Sequence, residues 1–368
     1  MLALLPDAFG GRGGIAKFNR DLLTALANDP GVSQVLALPR LMPDPPGAIP
    51  DRVDYRISAL GGKFNFVRTV LAIVLNRKKF DLIICGHINR VPIAVWAKIL
   101  FRAPLLLIIH GIDAWQPTHS VLVNFLARKV DAFISVSELT KQRFVSWAGI
   151  PSSKGRILPN SFDPSMFAPG EKNLGLLKRY AIEGKTVLLT AGRLSSEERA
   201  KGFDEIIDIL PELKKQIPNV AYLIVGDGDD RARLEAKARQ LKVNDLVVFS
   251  GYVNESEKAL HYQLADAYVM PSRGEGFGIV YLEAMACGIP TVGSTQDGSK
   301  EALRDGALGI LVDPKDPGSI KKGVLEAIGR PISVPDGLDY FSFENFEKRL
   351  HAICSEIHHR SFVSRSLR

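Results

Sequence analysis

Short apolar runs alternate along the chain with longer segments in which apolar residues recur at helical spacing. Buried parallel strands appear in a sequence as near-continuous apolar runs, and the helices between them keep one apolar face. Such runs lie at residues 2–5, 35–38, 82–85, 105–109, 133–136, 187–191, 221–225, 247–250, 267–270, 291–293 and 309–312. Helical spacing is found at residues 16–27, 121–128, 203–216, 231–241, 255–264 and 279–287. The pattern predicts an α/β protein with doubly wound parallel sheets, which bind ligands at the carboxyl ends of their strands.

The alternation stops at a proline-rich segment near the middle of the chain. Three prolines fall within residues 158–169, which is typical of a linker. We therefore predict two Rossmann-like domains, at residues 1–160 and 161–340, that face each other across a cleft. The remaining residues, 341–368, contain an amphipathic helix at 343–358. A length of 368 residues suits two domains of ordinary size.

Composition excludes several classes of protein. An apolar content of 46% supports real cores, and a charged content of 24% argues against disorder. The three cysteines are too few and too scattered for a disulfide framework or a zinc site, so we expect small buried side chains in a reducing compartment. No apolar run approaches the roughly 18 residues that a spanning helix needs, and no signal peptide is visible. We expect a cytoplasmic protein, either soluble or peripheral on the membrane.

The positive charge is confined to the first half of the chain. Residues 1–165 hold 20 Lys and Arg against 11 Asp and Glu, and the remainder holds 27 against 29, so the net charges are +9 and −2. An apolar stretch within residues 63–79 ends at Arg77, Lys78 and Lys79. It is either an ordinary helix with one buried face or a patch that binds an anionic membrane near the acceptor site. Nucleic acid is not expected, because aromatic residues do not interleave with the basic ones.

Two glutamates, Glu275 and Glu283, are separated by seven residues. The first lies in a glycine-rich loop, residues 274–278, and the second on the helix predicted to begin at that loop. Carboxylates accept hydrogen bonds from hydroxyls, glycines let a ligand approach the backbone, and a helix N-terminus attracts an anion. Together these features predict a site for a ligand with both hydroxyls and phosphate, which means a sugar nucleotide.

This stretch resembles the E-x7-E signature of retaining glycosyltransferases with a GT-B fold, most closely glycosyltransferase family 4. The resemblance implies that Glu275 contacts the transferred sugar and that Glu283 contacts the nucleotide ribose. A second element, G-R-L followed by K-G, resembles the family motif in which an arginine and a lysine hold the donor diphosphate; here these are Arg193 and Lys201. Seven residues separate them, whereas many members have four, so Arg199 is an alternative to Lys201.

Glycine-rich turns supply the other predicted ligand contacts. G-G-R-G-G-I, ahead of the first helix, resembles the family loop that approaches the donor pyrophosphate or the acceptor, although a plain strand-to-helix turn is the alternative. V-G-D-G-D-D resembles the turn that lines the nucleotide, and F-S-G-Y-V the segment that borders the base. The donor-binding residues implied in this way are Gly13, Gly14, Gly226, Gly251, Tyr252, Gly276, Phe277 and Gly278.

One of these turns contains a D-x-D pair, Asp227 and Asp229. In many GT-A glycosyltransferases such a pair holds a divalent metal. Here it follows a strand, so we expect Asp229 and Asp230 to cap the next helix instead. We therefore predict no metal site and no cofactor beyond the sugar-nucleotide co-substrate.

His110 ends a predicted strand in the sequence I-I-H-G-I-D. It resembles the family's His-Gly or His-Asp element, which implies that His110 approaches the transferred sugar; a purely structural histidine is the alternative. Glu138, at another strand end, and Asn160, in the linker, are further cleft candidates. The linker resembles the family segment P-N-G, with Ser161 in place of the usual glycine.

The resemblance implies a retaining, metal-independent hexosyltransferase that moves a sugar from a nucleoside-diphosphate sugar to a saccharide or lipid-linked acceptor, in cell-surface polysaccharide or glycoconjugate synthesis. It also implies front-face attack, in which the departing phosphate helps to take the acceptor proton. In GT-B folds the terminal helix often crosses back to the first domain. The alternatives are a GT-B sugar-nucleotide epimerase and a catalytically silent nucleotide-sugar-binding protein.

Overall fold

The protein divides into two compact units, each built around its own parallel sheet. The structure, a computed structural model, describes residues 1–75 and 78–366, with side chains up to residue 357. The N-terminal unit comprises Met1–Ser161 and the chain from Phe343 on, and the C-terminal unit comprises Phe162–Ser342.

The N-terminal sheet has seven parallel strands. They are β1 (Leu2–Leu5), β2 (Val35–Pro39), β3 (Val53–Tyr55), β4 (Ile83–Cys85), β5 (Leu105–Ile109), β6 (Ala132–Ser135) and β7 (Gly155–Ile157). Their order across the sheet is β3-β2-β1-β4-β5-β6-β7. The five predicted strands are present, but the pattern does not reveal the edge strands β3 and β7. Their sequences, V-D-Y and G-R-I, are too short and too polar to form an apolar run.

Helices connect these strands. They are α1 (Gly13–Asn28), α2 (Lys63–Leu75), α3 (Val91–Phe101), α4 (Ile112–Trp115), α5 (Val121–Ala127) and α6 (Glu138–Ala148). Helix α1 begins three residues before the predicted start, so the last two glycines of the glycine-rich loop form its first turn. The residues of the five inner strands are buried on both faces of the sheet, which explains their continuous apolar character.

Helix α2 is apolar on two faces. The face that packs into the core carries Phe66, Val70 and Ile73. The solvent-exposed face carries Phe64, Val67, Leu71 and Leu75. Lys78 and Lys79 follow the helix as exposed residues, and Arg77 lies outside the described residues. The sequence allowed either an ordinary helix with one buried face or a patch that binds a membrane. Helix α2 has the buried face of the first and the exposed apolar and basic surface of the second.

The C-terminal sheet has six parallel strands. They are β8 (Thr186–Ala191), β9 (Val220–Val225), β10 (Val247–Gly251), β11 (Ala267–Val269), β12 (Thr291–Ser294) and β13 (Ile310–Val312). Their order is β10-β9-β8-β11-β12-β13. Every predicted strand is present with ends within one residue of the prediction. Most of these strands are buried apolar runs, whereas β10 is half-buried apart from Val247.

Seven helices follow in this unit. They are α7 (Leu174–Arg179), α8 (Phe203–Gln216), α9 (Arg231–Gln240), α10 (Lys258–Tyr262), α11 (Ile279–Ala286), α12 (Ser299–Ala302) and α13 (Pro317–Ile328). In both sheets the winding direction reverses between two neighbouring strands, at β1/β4 and at β8/β11. Ligands of doubly wound sheets bind outside the carboxyl ends of the strands at this reversal. Each unit therefore has one edge at which a ligand is expected.

The last helix, α14 (Phe343–Ser366), packs against α1 of the N-terminal unit. The ring of Phe346 lies edge-on to that of Phe18, with centroids 5.5 Å apart. The chain enters and leaves the C-terminal unit side by side, since the Phe162 N–H donates to the Phe341 carbonyl oxygen at 3.2 Å. Helix α14 therefore belongs to the N-terminal unit.

Two further expectations concern the whole chain. Cys85, Cys287 and Cys354 are buried free thiols, as predicted. Of the helices in the described ranges, none has both the length and the hydropathy that crossing a bilayer requires.

Candidate active site

The turns after β8 and β9 interlock through their backbones. Gly226 has a φ of 142°, and a Cβ atom there would lie 2.0 Å from the Gly192 carbonyl oxygen. Gly228 approaches the Leu194 carbonyl oxygen equally closely. A side chain is excluded at both positions. The interlock holds Arg193, between Gly192 and Leu194, at the carboxyl edge of the sheet.

The two cations predicted to hold a diphosphate share a carboxylate. Arg193 forms an ion pair with Glu198, and Lys201 Nζ lies 3.8 Å from Glu198 Oε2. Lys201 Nζ also lies 3.4 Å from Glu275 Oε2. The charge of Glu275 raises the pKa of Lys201 against the opposing effect of burial, so the ammonium is protonated at neutral pH. Glu198 is therefore a counter-ion that a diphosphate can displace.

The alternative cation, Arg199, has a different partner. Arg199 begins a short 3-10 turn that ends at Lys201 and Gly202. Gly202 has a φ of 89° and packs against the backbone that follows β11, which brings Lys201 to Glu275. Arg199 Nε instead lies 3.1 Å from Asp230 Oδ1. The structure thus groups Lys201, and not Arg199, with Glu275.

The aspartates of the turn after β9 differ from the prediction. Asp230 is the N-cap residue of α9, but its side chain makes no cap hydrogen bond and pairs with Arg233 at 2.6 Å. Asp229 accepts hydrogen bonds from the backbone N–H and the hydroxyl of Ser196. The prediction that Asp229 and Asp230 cap α9 is therefore wrong. Ser196 holds the carboxylate of Asp229, and Arg233 holds that of Asp230. Within the described ranges, no three His, Cys, Asp or Glu side chains are grouped as a metal site requires.

A buried carboxylate, Asp297, fixes the loop that carries Glu275. Its Oδ2 accepts hydrogen bonds from the Glu275 N–H at 2.9 Å and from the Ser272 hydroxyl at 2.5 Å, and its Oδ1 accepts from the Ser299 hydroxyl at 2.6 Å. The Gly298 N–H donates to the Glu275 carbonyl oxygen at 2.8 Å. Burial raises the pKa of Asp297, and these hydrogen bonds oppose the shift. The N–H and the carbonyl oxygen of Glu275 are therefore both fixed by hydrogen bonds.

Glu283 is buried on α11 and has two partners. The Tyr262 hydroxyl donates to Glu283 Oε2 at 2.7 Å, and Lys258 Nζ lies 3.3 Å from Oε1. A buried carboxylate needs both a counter-charge and hydrogen bonds, and these residues supply them. A carboxylate has about four lone-pair sites, so Glu283 keeps capacity to accept a ligand hydroxyl.

The other predicted donor contacts lie at the same edge of the C-terminal sheet. Gly278 has a φ of 94° and is the N-cap residue of α11, so Gly276 to Gly278 lead directly into that helix. The ring of Phe277 is buried against a second phenylalanine, with centroids 5.4 Å apart, so only the Phe277 backbone is available to a ligand. Gly251 ends β10, and Tyr252 follows as an exposed residue.

In the N-terminal unit, the glycine-rich loop is open at its end. Gly13 has a φ of 82°, and no atom lies within 4 Å of the position that a Cβ would take. Gly13 and Gly14 are exposed and form the first turn of α1, whose N–H groups have no helical partner. Arg12, just before them, is paired with Asp44 at 2.6 Å.

His110 follows β5 at the carboxyl edge of the N-terminal sheet. Its Nε2 lies 3.0 Å from the Gly86 carbonyl oxygen, which can only accept, so Nε2 carries the proton and Nδ1 is left as an acceptor. The ring lies edge-on to Phe18, with centroids 5.2 Å apart. Burial lowers the pKa of His110 to about 3, so the imidazole is neutral at physiological pH.

Two neighbours of His110 were not predicted. Asp113 Oδ1 accepts a hydrogen bond from the His110 N–H at 3.2 Å, and Asp113 Oδ2 lies 3.9 Å from His87 Nε2. Burial raises the pKa of Asp113 to about 7 and lowers the pKa of His87 to about 4. His87 follows β4 and Asp113 follows β5. His110 was selected because it follows a strand, and the same criterion could have identified these two residues.

The two remaining candidates are engaged locally or lie in the linker. Glu138 begins α6, where Lys141 Nζ and Gln142 Nε2 lie 3.3 and 3.4 Å from its carboxylate. Asn160 precedes Ser161, whose buried hydroxyl donates to Asp21 Oδ2 at 2.7 Å. Ser161 thus attaches the linker to α1 where the family usually has glycine.

Two family models match the chain, one over each half. Residues 12–166 match the Glycosyltransferase Family 4 model, and residues 177–334 match the model of Glycosyl transferases group 1. The chain belongs to glycosyltransferase family 4. The resemblance seen in the E-x7-E and G-R-L elements is thereby confirmed.

Curated relatives of this family 4 chain include two mycobacterial proteins. One is the GDP-mannose-dependent alpha-(1-6)-phosphatidylinositol monomannoside mannosyltransferase of Mycolicibacterium smegmatis, 33% identical over 254 residues, which are 65% of this chain and 65% of the relative. Another is the phosphatidyl-myo-inositol mannosyltransferase of Mycobacterium tuberculosis, 32% identical over 250 residues, which are 67% of this chain and 62% of the relative. The matched region thus spans just under two thirds of the length of these relatives.

Solved structures resemble the family 4 chain over nearly its full length. Anabaena HepE in complex with UDP and glucose has a TM-score of 0.73 at 20% identity, covering 96% of this chain and 99% of that one. The lipopolysaccharide outer core galactosyltransferase WaaB, in its apo form, has a TM-score of 0.70 at 18% identity, with the same coverage. At such identities the likeness concerns the fold alone, and it confirms the predicted GT-B class.

A pH-dependent stability should distinguish Asp113 from an ordinary carboxylate. Its folded-state pKa of about 7 lies above the ordinary 3.8, so the native state holds the proton more tightly than the unfolded chain. The contribution of Asp113 to stability should therefore be fully present near pH 4 and be lost as the pH rises to about 7. Asp113→Asn does not ionise, so we expect it to exceed the wild type by a few kcal/mol at about pH 8 and to match it near pH 4.

Urea unfolding at several pH values measures this difference. Asp44→Asn is the matched control, because Asp44 is exposed and the hydrogen bond from Arg12 lowers its pKa. That variant should gain no stability at high pH. An Asp113→Asn advantage that did not change between about pH 4 and pH 8 would contradict the buried, protonated carboxyl.

Proposed function

We propose that this chain is a retaining, metal-independent glycosyltransferase of the hexosyltransferase type. It moves a sugar from a nucleoside-diphosphate sugar to a saccharide or lipid-linked acceptor. The observation that carries the proposal is the grouping of Lys201 with Glu275 at 3.4 Å and with Glu198, the ion-pair partner of Arg193, at the carboxyl edge of the C-terminal sheet. Membership of family 4 supports the same assignment.

The diphosphate would replace Glu198 between the two cations. Arg193 is 69% exposed and offers a planar fork of donors, while Lys201 is a charge held in place by Glu275. As the bond between sugar and phosphate breaks, negative charge develops on the leaving diphosphate. Two fixed cations stabilise that charge more than the charge of the ground state, which lowers the barrier.

The same two cations support metal independence. They supply positive charge at the leaving group, and in the D-x-D turn Asp227 faces Arg231 while Asp229 is held by Ser196. Activity should therefore survive chelation by EDTA.

The two glutamates would then position the sugar nucleotide. Glu275, fixed by Asp297 and ion-paired with Lys201, is suited to orient sugar hydroxyls. Glu283, held by Tyr262 and Lys258, is suited to accept hydrogen bonds from the ribose. Because Glu275 is committed to Lys201, we propose retention by front-face attack, in which the departing phosphate takes the acceptor proton.

The acceptor we propose is lipid-linked, and the chain works on the cytoplasmic face of a membrane. Support comes from the exposed face of α2, on which Phe64 and Leu75 are 88% and 80% exposed, and from Lys78 and Lys79 beside it. Apolar side chains flanked by cations are the two components of a peripheral membrane surface. The relatives named for phosphatidylinositol acceptors point the same way.

Nucleotide binding and turnover test the proposal together. A panel of UDP-, GDP- and ADP-sugars is titrated calorimetrically in EDTA, with GDP-mannose first because it appears in a relative's name. Turnover is then followed with and without a membrane-lipid extract. Donor consumed only with extract supports transfer, donor isomerised without extract indicates an epimerase, and binding without turnover indicates a silent binding protein.

Separate roles for the glutamates predict separate defects. Glu283→Ala should weaken binding of the free nucleoside diphosphate about tenfold or more, because ribose hydrogen bonds to a charged group are lost. Glu275→Ala should leave that binding nearly intact and lower kcat. The control is Glu326→Ala, since Glu326 is an exposed glutamate paired with Arg330. The opposite pattern would show that the two roles are reversed.

The lysine and the arginine of the long loop should differ in effect. Lys201→Ala should lower kcat roughly 100-fold, with a smaller rise in KM for the donor, because the lost charge acts mainly in the transition state. Arg199→Ala should stay close to the wild type, since Arg199 pairs with Asp230. An inactive Arg199→Ala beside an active Lys201→Ala would overturn the assignment.

Membrane binding should depend on both the apolar face and the charge. We expect co-sedimentation with anionic vesicles, little with neutral ones, and weakening in high salt, since each cation contributes about 1 kcal/mol near anionic lipid. Phe64→Ser should reduce this binding, whereas Leu174→Ser, at an exposed leucine of the C-terminal unit, should not. Equal, negligible binding to both vesicle types would instead favour a soluble acceptor.

A further inference from the structure

Unsatisfied polar atoms are concentrated at one edge of the N-terminal sheet. The described side chains include six buried polar atoms without a hydrogen-bond partner, and five of them belong to this unit. Such atoms are rare in folded proteins because each costs desolvation energy without a compensating bond. The five are Asp7 Oδ1, Asn19 Oδ1, Arg40 Nε, Arg90 Nε and Asp113 Oδ2.

These atoms come from neighbouring strand ends. Arg40 follows β2, Asp7 follows β1, Arg90 lies in the turn after β4, and Asp113 lies in α4 after β5. In the sheet the order is β2-β1-β4-β5, so the four segments are adjacent at the carboxyl edge. Asn19 joins them from α1, where its Nδ2 donates to the Asp7 carbonyl oxygen at 2.9 Å.

The two arginines are the unusual members of this set. Both guanidinium groups are partly buried, and no described carboxylate lies within 4.0 Å of either. Burial, followed by the positive charge of Arg40, lowers the pKa of Arg90, which places the two cations within electrostatic reach of each other. Two neighbouring, partly buried cations repel each other, and an anion held between them would offset that repulsion.

The polar groups around Arg40 and Arg90 indicate which chemical groups a bound anion would carry besides its negative charge. Arg90 lies near His87, which faces the unpaired Asp113 Oδ2 at 3.9 Å. The unpaired oxygens of Asp7 and Asn19 can accept hydrogen bonds. Near neutral pH the Asp113 carboxyl is partly protonated, because burial raises its pKa to about 7, so its unpaired oxygen can donate as well as accept. Hydroxyl groups are suitable partners for all three, because a hydroxyl both donates and accepts.

We propose that Arg40 and Arg90 form a phosphate-binding subsite for the acceptor, and that Asp113 binds an acceptor hydroxyl beside it. The ligand class is a phosphorylated polyol, either free or as the head group of a phospholipid. This inference rests on the proposed function, since it names the substrate of the same enzyme. It adds a site that neither the family motifs nor the donor residues include.

The position of Arg90 favours the head group as the source. Its guanidinium carbon lies 5.8 Å from the centroid of the Phe66 ring, which belongs to the buried face of α2. The opposite face of the same helix carries the exposed apolar side chains. A phosphate bound at Arg90 would therefore lie close to the helix that contacts the lipid in the proposed function.

Phosphate binding by the purified chain tests the proposal directly. Inorganic phosphate and glycerol 3-phosphate are titrated calorimetrically into a background that carries Arg193→Ala and Lys201→Ala, so that the other basic site contributes nothing. We expect both to bind and glycerol not to bind. Arg40→Gln or Arg90→Gln in this background should weaken binding about tenfold or more, because charge-assisted hydrogen bonds are lost.

The matched control is Arg52→Gln. Arg52 precedes β3 at the opposite edge of the same sheet and donates to the Asp29 carbonyl oxygen at 2.9 Å. Removing it changes the net charge equally and should leave phosphate binding unchanged. Melting temperatures of Arg40→Gln and Arg90→Gln should equal or exceed that of the wild type, because no intramolecular ion pair is lost. A lower melting temperature would instead identify a structural role.

Vesicles separate the two sources of phosphate. If the head group is bound, Arg90→Gln weakens binding to vesicles that contain phosphatidylinositol, and soluble inositol phosphate competes; if the free compound is bound, only the soluble titrations respond. Absence of phosphate binding in the starting background, or equal binding by the glutamine variants, overturns the proposal. Nucleotide binding by the unmodified chain is scored separately, so failure of the proposed function is recognised independently.

Discussion

The proposed donor site depends on the buried carboxylate of Asp297. It joins two segments that are distant in sequence, the loop after β11 and the turn after β12, through hydrogen bonds from Ser272, Glu275 and Ser299. Without it, the backbone at Glu275 would lose its anchor, and Lys201 would lose a fixed partner. The role proposed for Glu275 thus depends on a second carboxylate, which holds the Glu275 backbone in place. Its burial is tolerated because every hydrogen bond it needs is present.

The sequence predicts the C-terminal unit better than the N-terminal one. Its six strands coincide with predicted apolar runs, and both glutamates and both cations lie in short motifs that can be recognised in the sequence. Asp297 and Lys258 escape prediction because they act across the fold, on residues 22 and 25 positions away. Nothing in a linear pattern marks such a partner. Asp230 is a different case, because the arginine that holds its carboxylate and keeps it from capping α9 is Arg233, only three residues further along the chain.

The N-terminal unit differs from the C-terminal unit in how its buried polar groups are satisfied. In the C-terminal unit the carboxylates of the proposed site, Glu275 and Glu283, are paired with lysines. The contacts that position these carboxylates therefore also stabilise the fold there. At the carboxyl edge of the N-terminal sheet, Arg40, Arg90 and Asp113 keep unsatisfied atoms. A folded chain that retains such groups gives up stability at that edge, and a bound ligand is what would restore it. Sequence reasoning assigned a role to His110 there but not to its neighbours, although Asp113 ends the same quoted segment, because the family element gives a role only to the histidine.

The return of α14 to the first sheet has a consequence for the order of folding. The C-terminal unit is one continuous segment, Phe162–Ser342, whereas the N-terminal unit needs both ends of the chain. During synthesis the second unit can close its sheet as soon as its last strand leaves the ribosome. The first unit, though translated earlier, exposes the surface around Phe18 until Phe346 arrives. The unit that is translated first is therefore completed last, and the surface around Phe18 stays uncovered while the C-terminal unit is made.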